Sequence, residues 1–415
     1  MERVMFKYAV ISVVSVGLIQ SALGQEGEST EDRIAALEQR VQDLSDELEM
    51  QGASELERQN PYESSDIDGA SGGLMIGGYG EIHAAFEENG KSVFDIHRLV
   101  MYAGYEFADW IVLNSEIELE HAYVTDGAGG EISIEQLYAD FLFADAFNVR
   151  AGRMLAPLGI INQNHEPTLF LGVERPNVDK YIIPTTWSVD GAGIFGSPSG
   201  WISYQAAVVG GLDGNMFSPD EGIRDGRIKE RSGLNDPAVT GRIDLYPSDE
   251  QDLRLGLSGY YGGTDNANKG GSSGAENDFT MVSADFEYDV SRFRFRGVVG
   301  HGSNSDVQNL PADTGEEIFG WYLEGGVRVM PESWKKGKME NADIVPFVRY
   351  EEYDTQHKVA AGTVKDGAND RTDITVGINF PLTQQFVVKA DYQFKYNEAA
   401  TDPNNVFNLG MGWAF

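Results

Sequence analysis

Seven charged side chains lie within, or just before, a long segment that separates two predicted strands, residues 154–188. They are Arg150, Arg153, His165, Glu174, Arg175, Asp179 and Lys180. Acidic and basic groups at such short spacing create a transverse electric field when they meet across a narrow passage. The chemistry that this segment offers is the selection of small charged solutes, not the making or breaking of bonds. We therefore predict that these seven residues form the constriction of a pore.

The same segment carries more large apolar side chains than a connection exposed to water would use. They include Leu155, Leu158, Ile160, Ile161, Leu169, Phe170 and Leu171. Such side chains gain free energy when another surface covers them. That surface is either the inner wall of a surrounding barrel or a neighbouring copy of the chain. We favour the inner wall, because charged groups tolerate a wet lumen better than a dry interface.

The remaining residues do not predict a catalytic centre. The six histidines are scattered and none lies in a recognisable nucleophile motif: His83, His97, His121, His165, His301 and His357. The chain has no cysteine, which excludes disulfides and thiolate metal sites. Acidic stretches at 213–215 and 265–268 lack the spacing of an EF-hand. The sequence predicts no catalytic residue, no metal site and no cofactor, and an outer-membrane barrel enzyme is the alternative hypothesis.

From Leu74 onwards, large apolar residues alternate with small or polar ones, which is the two-residue period of strands with two different faces. The last strand shows it best, with apolar residues at Phe407, Leu409, Met411, Trp413 and Phe415. We count sixteen such segments up to residue 415, joined alternately by short and long connections. One connection, 330–343, is long where a short turn is due. The even count and the alternation predict an all-β membrane protein, a 16-stranded antiparallel transmembrane β-barrel.

The polar face of each predicted strand must point into the barrel. In 110–121, for example, Ile117 and Leu119 lie on one face, whereas Glu116 and Glu118 lie on the other. A charge that faces lipid at mid-depth costs roughly 2–4 kcal/mol, so the acidic face must line a lumen. The predicted pore wall consists of Arg98, Glu116, Glu118, Arg242, Arg254, Arg294, Arg296, Arg349, Lys389 and Asp391.

Three segments precede the barrel, which we place at 74–415. Residues 1–24 resemble a secretory signal peptide, with early basic residues, an apolar stretch and small residues before the polar Gln25. Residues 25–51 contain an a/d stripe formed by Ile34, Leu37, Val41, Leu44 and Leu48, which predicts a coiled-coil helix in the periplasm. A single amphipathic helix that lies on another surface is the alternative. Residues 52–73 read as a flexible linker.

The charge of the chain limits its partners. The formal net charge is −35 and the mean hydropathy is −0.32. A chain this acidic is not expected to bind nucleic acid. The expected surroundings are outer-membrane lipid and lipopolysaccharide of a Gram-negative bacterium. A structural role, in which the N-terminal helix tethers the envelope, is the third hypothesis.

Several motifs resemble those of the phosphate-selective porin O/P family. They are Arg153 to Gly159, His165-Glu166-Pro167, Gly172 to Pro176, Pro184 to Trp187, Pro346 to Glu351 and Lys389 to Gln393. The resemblance covers about residues 74–415. It implies a trimeric 16-stranded porin that gives passive diffusion of small hydrophilic solutes, with anionic, phosphate-like solutes as a candidate class. Some members also carry an N-terminal periplasmic coiled coil.

The resemblance also suggests which residues would select solutes. Phosphate selectivity in the family rests on a ladder of lumenal arginines and on a lysine cluster at the constriction. The counterparts available in this chain are Arg150, Arg153, Arg175, Lys180, Arg294 and Arg296. The chain has no lysine cluster, and Glu174 and Asp179 lie beside the basic residues. We therefore expect a weak preference for anions, or near neutrality.

Overall fold

The computed structural model describes residues 73–125, 129–248, 252–267, 270–399 and 404–415. In these residues sixteen strands follow one another: β1 (Gly73–Glu87), β2 (Val93–Ala108), β3 (Ile111–Glu120), β4 (Glu131–Ala144), β5 (Phe147–Leu155), β6 (Ser188–Ser199), β7 (Ile202–Gly210), β8 (Pro237–Leu245), β9 (Leu253–Gly263), β10 (Asp278–Val290), β11 (Phe293–Asn304), β12 (Glu317–Val327), β13 (Val345–Lys358), β14 (Asp370–Thr383), β15 (Phe386–Asn397) and β16 (Val406–Ala414). Each strand pairs with its sequence neighbours, and β1 pairs antiparallel with β16, which closes the barrel. The predicted 16-stranded antiparallel barrel is confirmed.

The N-terminal predictions mostly lie outside the described residues. This applies to the signal peptide (1–24), to the coiled-coil helix (25–51) and to the linker (52–73) except its last residue. Gly73 is the first residue of β1, so the barrel begins one residue earlier than expected.

Alternation along each strand separates a lipid-facing surface from a filled interior. In β3, Ile117 is 45% exposed, whereas Glu116 and Glu118 on either side of it are buried. In β15, Lys389 and Asp391 are buried, whereas Val388, next to Lys389, is exposed. The apolar positions can face outwards because the closed sheet satisfies its own backbone hydrogen bonds, so only side chains meet lipid.

Short and long connections lie at opposite ends of the barrel. The short end has the turns 109–110, 145–146, 200–201, 291–292 and 384–385. The connection 328–344 is long and contains a short 3-10 helix, Gly337–Met339, but it does not change the strand count.

Aromatic rings form part of a band around the short end. Trp110 and Phe147 each lie 6.2 Å from the ring of Phe143, and all three are well exposed. Exposed rings at this level are typical of the girdle that a barrel presents to the membrane interface.

Within the part of the chain that the structure describes, helices are short. Between β5 and β6 lies α1 (Val178–Tyr181), and the other 3-10 helices are Gly214–Met216, Arg224–Gly226, Val307–Asn309 and Gly367–Asn369. Among the described residues, no helix is long and apolar enough to cross a membrane.

Candidate functional site

The connection between β5 and β6, residues 156–187, packs inside the barrel. Its large apolar side chains are almost completely buried: Leu158, Ile160, Ile161, Phe170, Ile182, Ile183 and Trp187. They form one cluster with inward-facing wall residues such as Tyr260, Phe279 and Tyr322. We call residues 156–187 the inner segment. Its burial explains why a connection that is formally a loop has the composition of a core.

Polar wall residues hold the backbone of the inner segment. Arg242 donates a 2.7 Å hydrogen bond to the carbonyl of Gly159, and Arg296 donates one of 3.0 Å to the carbonyl of Leu169. Lys389 donates to the carbonyls of Phe170 and Gly172 at 2.8 and 2.7 Å. The carboxylate of Asp391 accepts a 2.6 Å hydrogen bond from the amide N–H of Val173. These contacts come from three sides of the barrel, so the segment is fixed along much of its length.

Glycines in the wall make room for the side chains of the segment. A Cβ atom on Gly320 would lie 2.8 Å from Ile182 Cγ1, and one on Gly410 would lie 2.8 Å from Val173 Cγ1. Carbon atoms pack at about 3.5–4.0 Å, so even a methyl group at either position would push the segment away from the wall.

A cavity of about 460 Å³ remains beside the inner segment. Eight basic and seven acidic side chains line it: Arg98, Arg153, Arg175, Lys180, Arg224, Arg227, Lys229 and Lys395, together with Glu87, Glu118, Glu120, Glu131, Glu135, Glu174 and Asp179. So many charges around so small a space produce a strong local field.

Half of the basic groups at the cavity have no carboxylate partner. Among the described residues, no ion pair joins Arg175, Lys180, Arg227 or Lys395 to an acidic group. Arg227 instead donates to the carbonyls of Pro184 and Thr186, and Arg175 donates to Thr186 Oγ1. Burial, together with the neighbouring Arg224, lowers the pKa of Arg227 to about 9, so this side chain is still cationic at neutral pH.

The other basic groups are neutralised by carboxylates. Arg98 lies 2.5 Å from Glu81, and Arg153 makes a two-bond contact with Asp190 at 2.6 and 2.9 Å. Lys229 lies 2.9 Å from Glu131. The surplus of positive charge at the cavity therefore comes from the four unpaired groups.

The sequence analysis predicted that acidic and basic residues such as Asp179 and Lys180 face each other across the lumen. Both line the cavity, but they do not form such a pair of charges. The side chain of Asp179 is fully buried, whereas Lys180 is exposed. Burial and the nearby carboxylate of Glu351 raise the pKa of Asp179 to about 8, so the group is mostly neutral at neutral pH. The helix α1 turns neighbouring residues to different sides, which separates the two charges.

Glu174 remains an anion beside the cavity. Burial alone would raise its pKa, but the hydrogen bond and the charge of His83, 2.9 Å away, lower the pKa to about 2. Of the two acidic residues of the inner segment that line the cavity, Glu174 is therefore the one that is charged at neutral pH.

His165 is a buried residue of the inner segment and does not line the cavity. The sequence analysis had predicted it at the constriction. The Nε2 atom of His165 is 3.3 Å from Glu135 and 3.5 Å from Glu116, and its Nδ1 donates to the carbonyl of Asn162. Burial alone would lower its pKa, but the two carboxylates raise it to about 10. We call His165, Glu116 and Glu135 the buried triad. The triad fastens the inner segment to the wall formed by β3 and β4.

Arg150 is also absent from the cavity lining. It makes two hydrogen bonds with Asp140, at 2.7 and 2.8 Å, and its guanidinium lies 3.9 Å from the centre of the Tyr138 ring. β5 carries Arg150 close to the short turn 145–146, well before the inner segment begins. The proximity of Arg150 to Arg153 in the sequence does not bring both to the constriction.

The residues predicted to form the pore wall fall into two groups, those that line the cavity and those that do not. Arg98 and Glu118 line the cavity. The others are not among its lining residues: Glu116, Arg242, Arg254, Arg294, Arg296, Arg349, Lys389 and Asp391. They face inwards as predicted, but most hold the inner segment or pair with carboxylates. Arg296, for example, lies 2.8 Å from Glu324. A continuous ladder of free arginines is therefore not present in the described residues.

The sequence reasoning missed the basic residues of the connection between β7 and β8, 211–236. Arg224, Arg227 and Lys229 reach the cavity from there. A signal was available, because four basic residues fall between 224 and 231 in a chain whose net charge is −35.

Comparisons with known proteins agree with this architecture. A family model described as phosphate-selective porin O and P matches residues 71–218. An uncharacterized protein of Aquifex aeolicus (strain VF5) is 30% identical over 362 residues, which are 83% of this chain and 80% of that protein. The chain belongs to the phosphate-selective porin O and P family.

Solved structures with little sequence identity share the fold of this porin. OmpF of Salmonella typhi, in complex with daunomycin, has a TM-score of 0.57 and 11% identity, covering 82% of this chain and 97% of that chain. An anion-selective porin from Comamonas acidovorans has a TM-score of 0.54 and 12% identity, covering 83% of this chain and all of the other. The trimer form of OmpT from Vibrio cholerae has a TM-score of 0.54 and 10% identity, with the same coverage.

The family and the fold are those of outer-membrane channels rather than of enzymes. This porin is a passive channel, and the histidines are not needed to explain its activity.

Proposed function

We propose that the inner segment forms the constriction of this porin, and that the constriction passes small hydrophilic solutes with a weak preference for anions. Phosphate-like anions are within the range of such a channel. The observation that carries the proposal is the set of four cationic groups at the cavity without carboxylate partners, Arg175, Lys180, Arg227 and Lys395. The neighbouring Glu118, Glu120 and Glu174 moderate the preference.

Two further features explain why selectivity is weak. The wall arginines are largely used in ion pairs or in holding the inner segment, so they offer little free charge along the rest of the lumen. We expect much of the acidic surplus to lie on exposed segments, where salt screens it over about 8 Å at physiological ionic strength. The net charge of −35 therefore does not make the channel cation-selective.

Removing a free positive charge at the cavity should shift the ion preference towards cations. For Arg175→Ala and for Lys180→Ala, we expect a fall of roughly twofold in the anion-to-cation permeability ratio. One unit charge at about 8 Å in water is worth about 0.5 kcal/mol, which gives this factor. The measurement is the reversal potential of single channels in a salt gradient.

Lys358→Ala is the matched control, because Lys358 is an exposed residue paired with Glu316 and Glu317 and is absent from the cavity lining. It should leave the reversal potential unchanged. If both cavity variants behave like this control, the inner segment does not control ion passage and the proposal fails.

We also propose that three copies assemble, with the helix of residues 25–51 in the periplasm. The a/d stripe of that helix and the trimer form of OmpT support this assembly. Native mass spectrometry in mild detergent should give a trimer for the mature chain. Deletion of 25–51 should weaken the trimer on dilution, and a monomer from both forms of the chain would contradict the proposal.

A further inference from the structure

Three potential metal ligands meet near the long-connection end of the barrel. Asp95 and His97 lie two residues apart on β2, and His121 follows the last residue of β3. The register between β1 and β2 shifts by one residue: Glu81 pairs with Arg98, and Ile82 pairs with Ile96. His97 on β2 therefore has no pairing partner on β1. The backbone N–H of His121 donates to the carbonyl of His97 at 2.9 Å, so the ladder between β2 and β3 brings the two histidines side by side.

The side chains converge on one carboxylate oxygen. Oδ2 of Asp95 lies 3.1 Å from Nδ1 of His97 and 2.8 Å from Nδ1 of His121. The candidate ligand atoms of all three residues lie within 4.8 Å of one another. In a tetrahedral zinc site with bonds of 2.0–2.2 Å, ligand atoms are roughly 3.3 Å apart. The two distances from Asp95 lie within about half an ångström of this separation, so the side chains are already close to a geometry that admits an ion.

We propose that Asp95, His97 and His121 form a binding site for Zn²⁺. Two imidazoles and one carboxylate are a ligand set that suits zinc and leaves one position for water. All three side chains are partly exposed, at 24%, 20% and 40%, so an ion can enter and keep its water. Mg²⁺ and Ca²⁺ are poor candidates, since they prefer oxygen ligands.

The site is connected to the proposed constriction. His97 lines the cavity, and its ring stacks on that of His83 at 4.6 Å between centroids. His83 in turn lies 2.9 Å from Glu174 of the inner segment. Bound zinc adds two positive charges at the edge of the lumen and strengthens the preference for anions. This consequence rests on the proposed function, whereas zinc binding itself does not.

Calorimetric titration of the purified full-length porin, without a histidine tag, tests the site. ZnCl₂ should bind saturably with one ion per chain, and MgCl₂ should give no such signal. Asp95→Asn, His97→Gln and His121→Gln should each lower the zinc affinity roughly tenfold or more. His301→Gln is the control, because His301 is an exposed histidine paired only with Glu317 and should keep wild-type affinity.

Absence of saturable zinc binding in the wild type would overturn the proposal, and so would unchanged affinity in both histidine variants. The imidazoles would then only donate hydrogen bonds to Asp95. His121→Gln lies outside the strands, so it tests the site even if a strand variant fails to fold.

Bilayer recordings separate this inference from the proposed function. Zinc should shift the reversal potential towards anions in the wild type and in His301→Gln, but not in His121→Gln. Zinc binding without any such shift would retain the site and contradict its link to the constriction.

Discussion

Lys389→Met should release residues 169–173 from the barrel wall and raise the single-channel conductance. Lys389 is buried and donates to two carbonyls of the inner segment, those of Phe170 and Gly172. Methionine has similar length but no donor, so the carbonyl of Gly172 loses its partner, and the carbonyl of Phe170 keeps only the 3.3 Å hydrogen bond from Asn379. Each buried acceptor left without a hydrogen bond costs about 1–3 kcal/mol. The loss at Gly172 should therefore lower the local stability of the segment by about 1–3 kcal/mol.

Conductance and hydrogen exchange together measure this effect. We expect larger and noisier channels, and faster exchange of the amides in 168–175. Lys395→Met is the matched control, because Lys395 lies on the same strand and lines the cavity, but donates no hydrogen bond from its side chain to the inner segment. It should change ion preference without faster exchange. If Lys389→Met shows only the behaviour of this control, the lysine does not hold the segment.

His165→Leu should destabilise the folded porin by about 3–5 kcal/mol, the usual cost when one partner of a buried charge pair is removed. Glu116 and Glu135 would stay buried without a nearby cation from the inner segment. The variant should lose its heat-resistant folded band at a lower temperature than the wild type. His301→Leu, an exposed histidine paired with Glu317, should change stability by less than about 1 kcal/mol.

The same histidine predicts a dependence on alkaline pH. Its pKa is about 10 in the folded protein, above the ordinary value of 6.5. A raised pKa stabilises the folded state fully below the unfolded value, and this contribution is lost as the pH rises through the folded value. Asp179, with a pKa of about 8, acts in the same direction, but most of its contribution is lost before the pH reaches about 8, so the change above pH 8 comes mainly from His165. Channel noise in the wild type should therefore increase as the pH is raised from 8 to 10.

The His165→Leu variant should be noisy already at neutral pH, and its increase above pH 8 should be smaller. Single-channel recordings across this pH range check the expectation. A wild-type channel that stays equally quiet throughout would show that the buried triad does not fasten the inner segment.

The zinc proposal illustrates a limit of sequence reasoning. Asp95 and His97 lie two residues apart on one strand, but His121 follows the end of the next, and no motif joins them. The sequence accordingly predicted no metal site. Only the pairing of β2 with β3, with Arg98 opposite Glu120, places His121 beside His97.

The sequence alone determined the barrel because the outer face of every strand must contact lipid. Every strand must present apolar side chains outwards and may present polar ones inwards, so each strand carries its own two-residue pattern. Strand number, strand order and the inward orientation of residues such as Glu116 and Lys389 follow from that local rule. The predicted strand 110–121, for example, differs from β3 by one residue at each end.

Tertiary structure alone decided which inward charges remain open to the lumen. Arg242, Arg296 and Lys389 look like free wall residues in the sequence, but the inner segment covers them and uses their hydrogen bonds. Arg224 and Arg227 reach the cavity from a connection distant in sequence. The physical reason is that the docking of a long connection depends on contacts between residues far apart along the chain, which no local period encodes.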